Sequence, residues 1–333
     1  MNLSDQPILG TAKAIAHPSL AMVKYWGKAH QKRNIPAVPS LALTLDQLKT
    51  ETQVKLLPKR DSDSQDEICI EGQRQPLKRF APFLSELRQL LAKKNDFPPF
   101  ILHAESQSNF PTAAGLASSA SGFAALALGA LHASGLPYSR QEASALARIG
   151  SASAARSLWG GFVRLDAHGE AAEQVHPSNH WPQLRVLVVQ VSAGKKSVSS
   201  REAMESSRLT SPFYEAWVAD APHLFQKALT ALEHKNLAQL GEIMLLSYQR
   251  MFATMSSASP PLLYWKAQSL EIIHACAEWR KEGLPLWETM DAGPQIKIFY
   301  ENGTPVPQYF ADRFPSIPTR ICGPGADAEV KTL

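Results

Sequence analysis

Apolar positions recur along this chain at two different periods. Residues 41–45, Leu-Ala-Leu-Thr-Leu, alternate and then meet Asp46, which predicts a strand reaching its end, and residues 52–57 are read as its hairpin partner. Residues 12–16 and 21–23 are short buried segments around a Pro18 kink, and Pro36 and Pro39 bracket a turn. Residues 80–94 carry Phe80, Leu84, Leu87, Leu90 and Leu91 on one side, which predicts a helix after the polar, acidic loop 61–67. Residues 100–104 read as a strand. A helix then follows Ser119, runs to His132 or Ala133, and stops near Gly135-Leu-Pro137. Ser139 and Glu142 have capping-box spacing ahead of a helix with Ala143, Leu146 and Ala147, and residues 158–165 form a glycine-bearing turn into a strand.

A second unit begins near Trp181. Residues 184–191 are a dense Val/Leu strand, and 195–200 a polar, mobile loop. Helical spacing dominates 202–255, with breaks expected at Pro212 and Pro222, and another helix covers 262–281. Gly283-Leu-Pro285 turns the chain. Residues 296–300 form a short strand with Glu301-Asn-Gly-Thr304 as its turn, and the pattern leaves the last strand open. Hairpins mixed with helices fit α+β better than a doubly wound sheet.

Composition narrows the function classes. At 333 residues, 44% hydrophobic and 19% charged, the chain can bury a real core as one large or two modest domains. Its net charge of +4 comes from 34 basic against 30 acidic residues, a mild excess that suits small anionic substrates and gives little support to nucleic-acid binding. No RRM, KH, zinc-finger or basic-region pattern occurs. Cys69, Cys276 and Cys322 are too dispersed for a disulfide framework or a zinc site. The N-terminus lacks a basic start followed by an apolar run, and the apolar run 126–131 is flanked by alanine and glycine and ends at His132, so it is read as a packed helix and not a membrane span. A soluble cytoplasmic protein is the expectation.

Four segments could carry chemistry. Residues 109–127, Asn-Phe-Pro-Thr-Ala-Ala-Gly-Leu-Ala-Ser-Ser-Ala-Ser-Gly-Phe-Ala-Ala-Leu-Ala, join a small-residue loop to a helix start, where free N–H groups and the Ser118 and Ser119 hydroxyls suit polyphosphate. It lacks the lysine of a Walker A loop, and a tight turn into a core helix would look the same. Lys24-Tyr-Trp-Gly-Lys28 reads as a loop after a strand, with lysines that either meet an anion or face solvent. In residues 150–161, Ser151, Ser153 and Ser157 surround Arg156, which can grip a carboxylate or phosphate with two parallel hydrogen bonds or can sit on an ordinary surface turn. In Met290-Asp-Ala-Gly-Pro294, Asp291 is either a general base on a rigid turn or an Asx-turn residue.

Taken together and in their order along the chain, these segments, with Lys195-Lys-Ser-Val-Ser-Ser-Arg-Glu202, closely resemble the diphosphomevalonate decarboxylase family of the GHMP kinase superfamily, over residues 11–325. The resemblance implies an N-terminal lobe (1–183) like ribosomal protein S5 domain 2, a ferredoxin-like C-terminal lobe (184–333), and an active site in the cleft between them. It implies ATP-dependent decarboxylation of mevalonate 5-diphosphate with Mg²⁺, in a homodimer. Asp291 then deprotonates the 3-hydroxyl with Lys24 beside it, and Arg156 holds the C1 carboxylate. Ser151 and Ser153 also hold substrate, while Tyr25, Lys28 and Arg79 bind the diphosphate end. Pro111, Ala114, Gly115, Leu116, Ala117, Ser118 and Ser119 line ATP, and Ser118 or Ser119 meets the metal together with ATP phosphates. Two positions depart from the family pattern: Ser19 and Gln295 each stand where asparagine is usual. A mevalonate 3-kinase, a phosphomevalonate decarboxylase and, from another class, a non-catalytic nucleotide-binding protein are the competing readings.

Overall fold

The computed structural model describes residues 8–61, 63–94, 97–110, 118–192, 194 and 198–331. The first half of the chain supplies β1 (Gly10–Ala16), β2 (Ser19–Val23), β3 (Lys28–His30), β4 (Ile35–Pro36), β5 (Ser40–Thr44), β6 (Thr50–Pro58), β7 (Glu67–Ile70), β8 (Gln73–Arg74), α1 (Ala81–Ala92), β9 (Phe100–Ser108), α2 (Ser118–Ala133), α3 (Arg140–Gly150), β10 (Phe162–Leu165) and β11 (Glu173–His176). The second supplies β12 (Leu184–Val189), α4 (Ser200–Thr210), α5 (Tyr214–Glu233), α6 (Leu237–Ser256), α7 (Ala267–Lys281), β13 (Trp287–Met290), β14 (Ile296–Glu301), α8 (Val306–Arg313), β15 (Thr319–Cys322) and β16 (Glu329–Lys331). The α+β class is as expected.

A six-stranded sheet, β16-β1-β6-β9-β7-β8, is covered by α1, α2 and α3. α2 is apolar almost all round because it lies in this core, where alanines let it sit close to β1 and β6. The predicted capping box of α3 forms: Ser139 accepts from the Glu142 backbone N–H, and Glu142 accepts in return. A second sheet, β11-β10-β5-β2, faces a third, β13-β14-β12-β15, so that Leu20, Met22, Leu41 and Phe162 share one core with Val186, Val188, Phe299 and residues of α5 and α6. A further core joins Trp26 and Val38 to the helices and sheet of the second half. The two halves therefore interlock, and β16 returns the chain's end to the edge of the first sheet beside β1. This interlocking brings the end of β2 against the end of β13.

Several expected elements differ. Residues 52–57 are not the hairpin partner of 41–45: β6 pairs with β1 and β9, whereas β5 pairs with β2 and β10. The reason lies at Asp46, whose carboxylate accepts the Gly323 N–H and leads the chain out of one sheet and into another. Pro222 does not break a helix, since α5 runs through it; Pro222 faces outward while Ala221, Leu224, Phe225 and Ala228 anchor the helix in the core, and that packing outweighs the lost hydrogen bond. α7 starts at Ala267 and not at 262, after Pro260 and Pro261. Ser199 caps α4 through Glu202, so the helix already begins at Ser200; residues 195–197 of the expected loop lie outside the described residues.

Candidate active site

β2 is buried along its whole length and ends at Val23, which delivers Lys24 to the seam between the halves. Its backbone N–H donates to Ser247 Oγ on α6 (2.8 Å), and its Nζ donates to the Ala21 carbonyl (2.6 Å) and to Asp291 Oδ1 (2.9 Å). Asp291 follows β13 in a tight turn, with the Gly293 N–H donating to its carbonyl at 2.7 Å. The other carboxylate oxygen, Oδ2, accepts from Lys297 Nζ on β14 at 3.1 Å. The two lysines are about as buried as side chains become, at 1% and 2% exposure, while the Asp291 side chain keeps 27% and opens onto a small pocket also lined by Leu20, Leu45, Leu48 and Val188.

Burial by itself would raise the Asp291 pKa. The attraction and hydrogen bonds of Lys24 and Lys297 outweigh it and hold the carboxyl well below the usual carboxylate range. Burial pulls the Lys24 ammonium down to about 8, against the opposing pull of Asp291. In the ligand-free site the carboxylate is therefore ionised at neutral pH, with a surface still open to a ligand.

Arg156 lies in the short 3₁₀ turn after α3, at 2% exposure. One guanidinium nitrogen donates to Ser40 Oγ at 2.6 Å, its Nε has no partner, and no carboxylate among the described residues pairs with it. Burial lowers its pKa to about 10, while Asp291 is near enough to raise it. A buried guanidinium with an idle donor is a site for an anion. Around it, Ser151 Oγ meets Ser153 Oγ at 3.1 Å and Ser119 Oγ at 3.4 Å. Ser19 Oγ donates to the Ser153 carbonyl and accepts from Ser157 Oγ, each at 3.3 Å, so this departure from the family pattern sits within the same hydroxyl cluster.

Beyond Arg156 the surface is cationic. Burial first, then neighbouring Arg201, pulls Lys28 down to about 8. The guanidinium of Arg79 lies over the rings of Phe80 and Phe123, and its pKa is lowered first by burial of that head group and then by Arg201. Tyr25 has a buried hydroxyl without a partner, pushed up by burial and near both Arg156 and Arg201. Among the described residues no carboxylate is ion-paired to Lys28, Arg79 or Arg201, although Glu205 lies near enough to favour the Lys28 charge. Arg201 repels both Lys28 and Arg79, and three cations beside an unpartnered hydroxyl suit a polyanion.

Sequence reasoning missed Lys297 and Arg201. A lysine between Ile296 and Ile298 in a largely apolar strand was the available signal for the first; for the second it was its place in the 195–202 segment that carries the family resemblance. The Gln295 amide exchanges hydrogen bonds with the Ser192 backbone and ties the segment after β12 to the Asp291 turn. Pro111, Ala114, Gly115, Leu116 and Ala117 lie outside the described residues, while Ser118 and Ser119 begin α2. No cluster of three His, Cys, Asp or Glu side chains able to hold a metal occurs among the described residues. Hydroxyls at a helix start with no acidic residue in its first turn fit a metal carried by phosphate oxygens.

Comparison with known proteins agrees with this geometry. The profile of the diphosphomevalonate decarboxylase-like N-terminal domain matches residues 16–176, and that of the mevalonate 5-diphosphate decarboxylase C-terminal domain matches 186–314. The diphosphomevalonate decarboxylase of Aspergillus fumigatus is 35% identical over 87% of this chain and 76% of its own length. The mevalonate diphosphate decarboxylase structure from Enterococcus faecalis superposes with a TM-score of 0.87 at 34% identity, covering 97% of this chain and 99% of that one. A structure described as MDDEF in complex with MVAPP, AMPPCP and magnesium reaches 0.88 at 35% identity with the same coverage. With both profiles matched in order and the fold shared along nearly its whole length, this chain belongs to the diphosphomevalonate decarboxylase family.

Proposed function

We propose that this chain decarboxylates mevalonate 5-diphosphate at the expense of ATP, forming isopentenyl diphosphate, ADP, phosphate and carbon dioxide. The observation that carries the reading is the buried Lys24–Asp291 pair beside Arg156, a buried guanidinium without a carboxylate of its own. One group is ready to meet a hydroxyl and the other an anion, and a small hydroxy acid offers both.

In this reading Asp291 accepts a hydrogen bond from the 3-hydroxyl and takes its proton as the oxygen attacks the γ-phosphorus of ATP. Lys24 keeps the carboxylate ionised and offsets negative charge near the transferred group. Arg156, with Ser151 and Ser153, holds the C1 carboxylate in line with the C3–O bond. That bond then breaks, phosphate leaves with the electron pair, and the C1–C2 pair becomes the C2–C3 double bond as carbon dioxide departs. Phosphorylation comes first because hydroxide is a poor leaving group. Tyr25, Lys28 and Arg79, with Arg201, bind the diphosphate. Ser118 and Ser119, at the start of α2, hold ATP phosphates and one of them the Mg²⁺, a role the proposal extends to Pro111, Ala114, Gly115, Leu116 and Ala117. When bound, Mg²⁺ neutralises phosphate charge.

The proposal includes lobes at 1–183 and 184–333 with the site between them, and a cytoplasmic homodimer. No described helix is long and apolar enough to cross a membrane. The test is to give the purified protein Mg²⁺-ATP with mevalonate 5-diphosphate, mevalonate 5-phosphate or mevalonate, and to measure ADP and carbon dioxide together. Equal release of both, fastest with the diphosphate, is expected. ADP without carbon dioxide identifies a 3-kinase, faster turnover of the monophosphate moves the substrate down one phosphate, and silence with all three removes the reading.

A further inference from the structure

Lys297 is out of place by every local rule of its strand. β14 is buried on both faces. Ile296 and Ile298 enter the core behind the third sheet, and Lys297 and Phe299 point to the opposite face, toward β2. Its cross-strand neighbours are Val188 on β12 and Thr289 on β13. The pocket that it lines is otherwise bounded by Pro18, Leu20, Leu45, Leu48, Val188 and Asp291. An ammonium in such surroundings is costly unless paired, and the pairing seen is with Asp291 Oδ2. Lys24 holds Oδ1, so each carboxylate oxygen has its own ammonium.

We infer that Lys297 is a positioning residue: by clamping Oδ2 it sets the rotation of the Asp291 carboxylate and restrains its basicity until substrate arrives. The inference rests on the reading of Asp291 as the group that meets the substrate hydroxyl. With one oxygen tied to Lys24 alone, the carboxylate could turn about its Cβ–Cγ bond. With both tied, its free lone pairs point at the open pocket. Among the described residues, the charged and titratable groups facing Asp291 are Lys24 from the end of β2, Lys297 from β14 and Arg156 from the turn after α3. All three are cations, so the empty site carries an excess of positive charge. An entering carboxylate and phosphate cancel it, and the aspartate becomes a better base only when its reactants are present.

The experiment uses the full chain, with Lys297→Met as the test, Lys297→Gln as a second variant that keeps a donor at the same depth, and thermal melting to check that each is folded. Removing one of two close ammoniums raises a carboxyl pKa by roughly 1–3 units. The acid limb of kcat is therefore expected to move up by about one unit or more in both variants. In Lys297→Met, kcat should fall about tenfold or more at neutral pH while both KM values stay within about threefold, as for an interaction made mainly in the transition state. In an Asp291→Asn background, Lys297→Met should then change the rate by less than about twofold, because the group that it acts through is gone. An unmoved acid limb, a loss confined to KM, or an equal rate loss in the Asp291→Asn background each overturns the inference. A loss of less than about tenfold for Asp291→Asn alone overturns instead the reading of Asp291 as the acid–base group, which keeps the two failures apart.

Discussion

Lys24 Nζ and Asp291 Oδ1 lie 2.9 Å apart although 267 positions separate them along the chain. The contact joins the end of a strand in the second sheet to the turn after a strand in the third, so it depends on the packing of the two halves. It also states the chemical division of labour: the lysine holds the carboxylate ionised, and the carboxylate presents its open edge to the cavity.

Replacing Asp291 by alanine removes both the proposed proton acceptor and the partner of two buried ammoniums. Turnover is expected to fall by about 10²-fold or more, the range of a positioned acid–base group. Steady-state kcat with ADP and carbon dioxide measured together checks it, and a loss below tenfold would take Asp291 out of that role.

Changing Arg156 to lysine keeps the charge but loses the planar fork. Charged hydrogen bonds are worth roughly 1.5–3 kcal/mol, so kcat/KM should drop by about 10–100-fold. Arg156→Met should abolish turnover yet leave the melting temperature of the ligand-free protein unchanged or raised, because a guanidinium buried without a carboxylate is a burden to the ligand-free fold. A clear fall in that temperature would mean that Arg156 is chiefly a structural residue.

The alkaline limb of kcat/KM follows from two lysines. Lys24 and Lys28 are both lowered to about 8, chiefly by burial, so the free enzyme carries both charges below that pH and loses them as pH rises through it. kcat/KM, which reports the free enzyme, should decline above about pH 8. Bound phosphates favour the ammonium forms, so the limb of kcat should lie at higher pH. Coincident limbs in the two profiles would contradict this. Lys28→Arg, whose group stays protonated, should remove the Lys28 part of the decline.

Arg201 should act on one substrate only. Arg201→Gln is expected to raise KM for mevalonate 5-diphosphate several-fold, with less effect on KM for ATP and with a weaker salt dependence than the unaltered protein shows. Equal changes in both constants would place Arg201 elsewhere in the mechanism.

Gly27 adopts a φ of +112°, and a Cβ there would stand 2.1 Å from Tyr214 Oη. Tyr214 is held in the core of the second half, so the ring has little room to yield. Gly27→Ala should cost about 1–3 kcal/mol of stability and displace Lys28 next to it. Urea unfolding reads the first effect and KM for the diphosphate substrate reads the second. An unchanged midpoint would show that the turn accepts a side chain.

Local structure was legible where local physics decides it. The Ser139 cap, the apolar side of the first helix with Leu84, Leu87 and Leu91, and the small-residue helix expected after Ser119 all follow from interactions within a few residues. Pairing between strands was not. Residues 41–45 and 52–57 look like a hairpin, and contacts of residues 44–46 with 323–325, near the far end of the chain, accompany their entry into different sheets. β13, α8 and β16 are too short to announce themselves, and packing creates them.

The same division runs through the site. The residue types and their order along the chain determined the family, the reaction expected of it and most of the groups proposed to carry it, because a carboxylate on a Gly-Pro turn, an arginine among serines and a serine-started helix carry their chemistry wherever they are set. Only the tertiary structure decided that Lys297 shares Asp291 with Lys24, that Arg201 joins Lys28 and Arg79, and that Arg156 is buried with an idle donor. Those relations are set by Coulomb forces and burial acting across a few ångströms between segments that, Lys297 and Asp291 apart, lie more than a hundred residues from one another, and distance along a sequence carries no measure of distance through the fold.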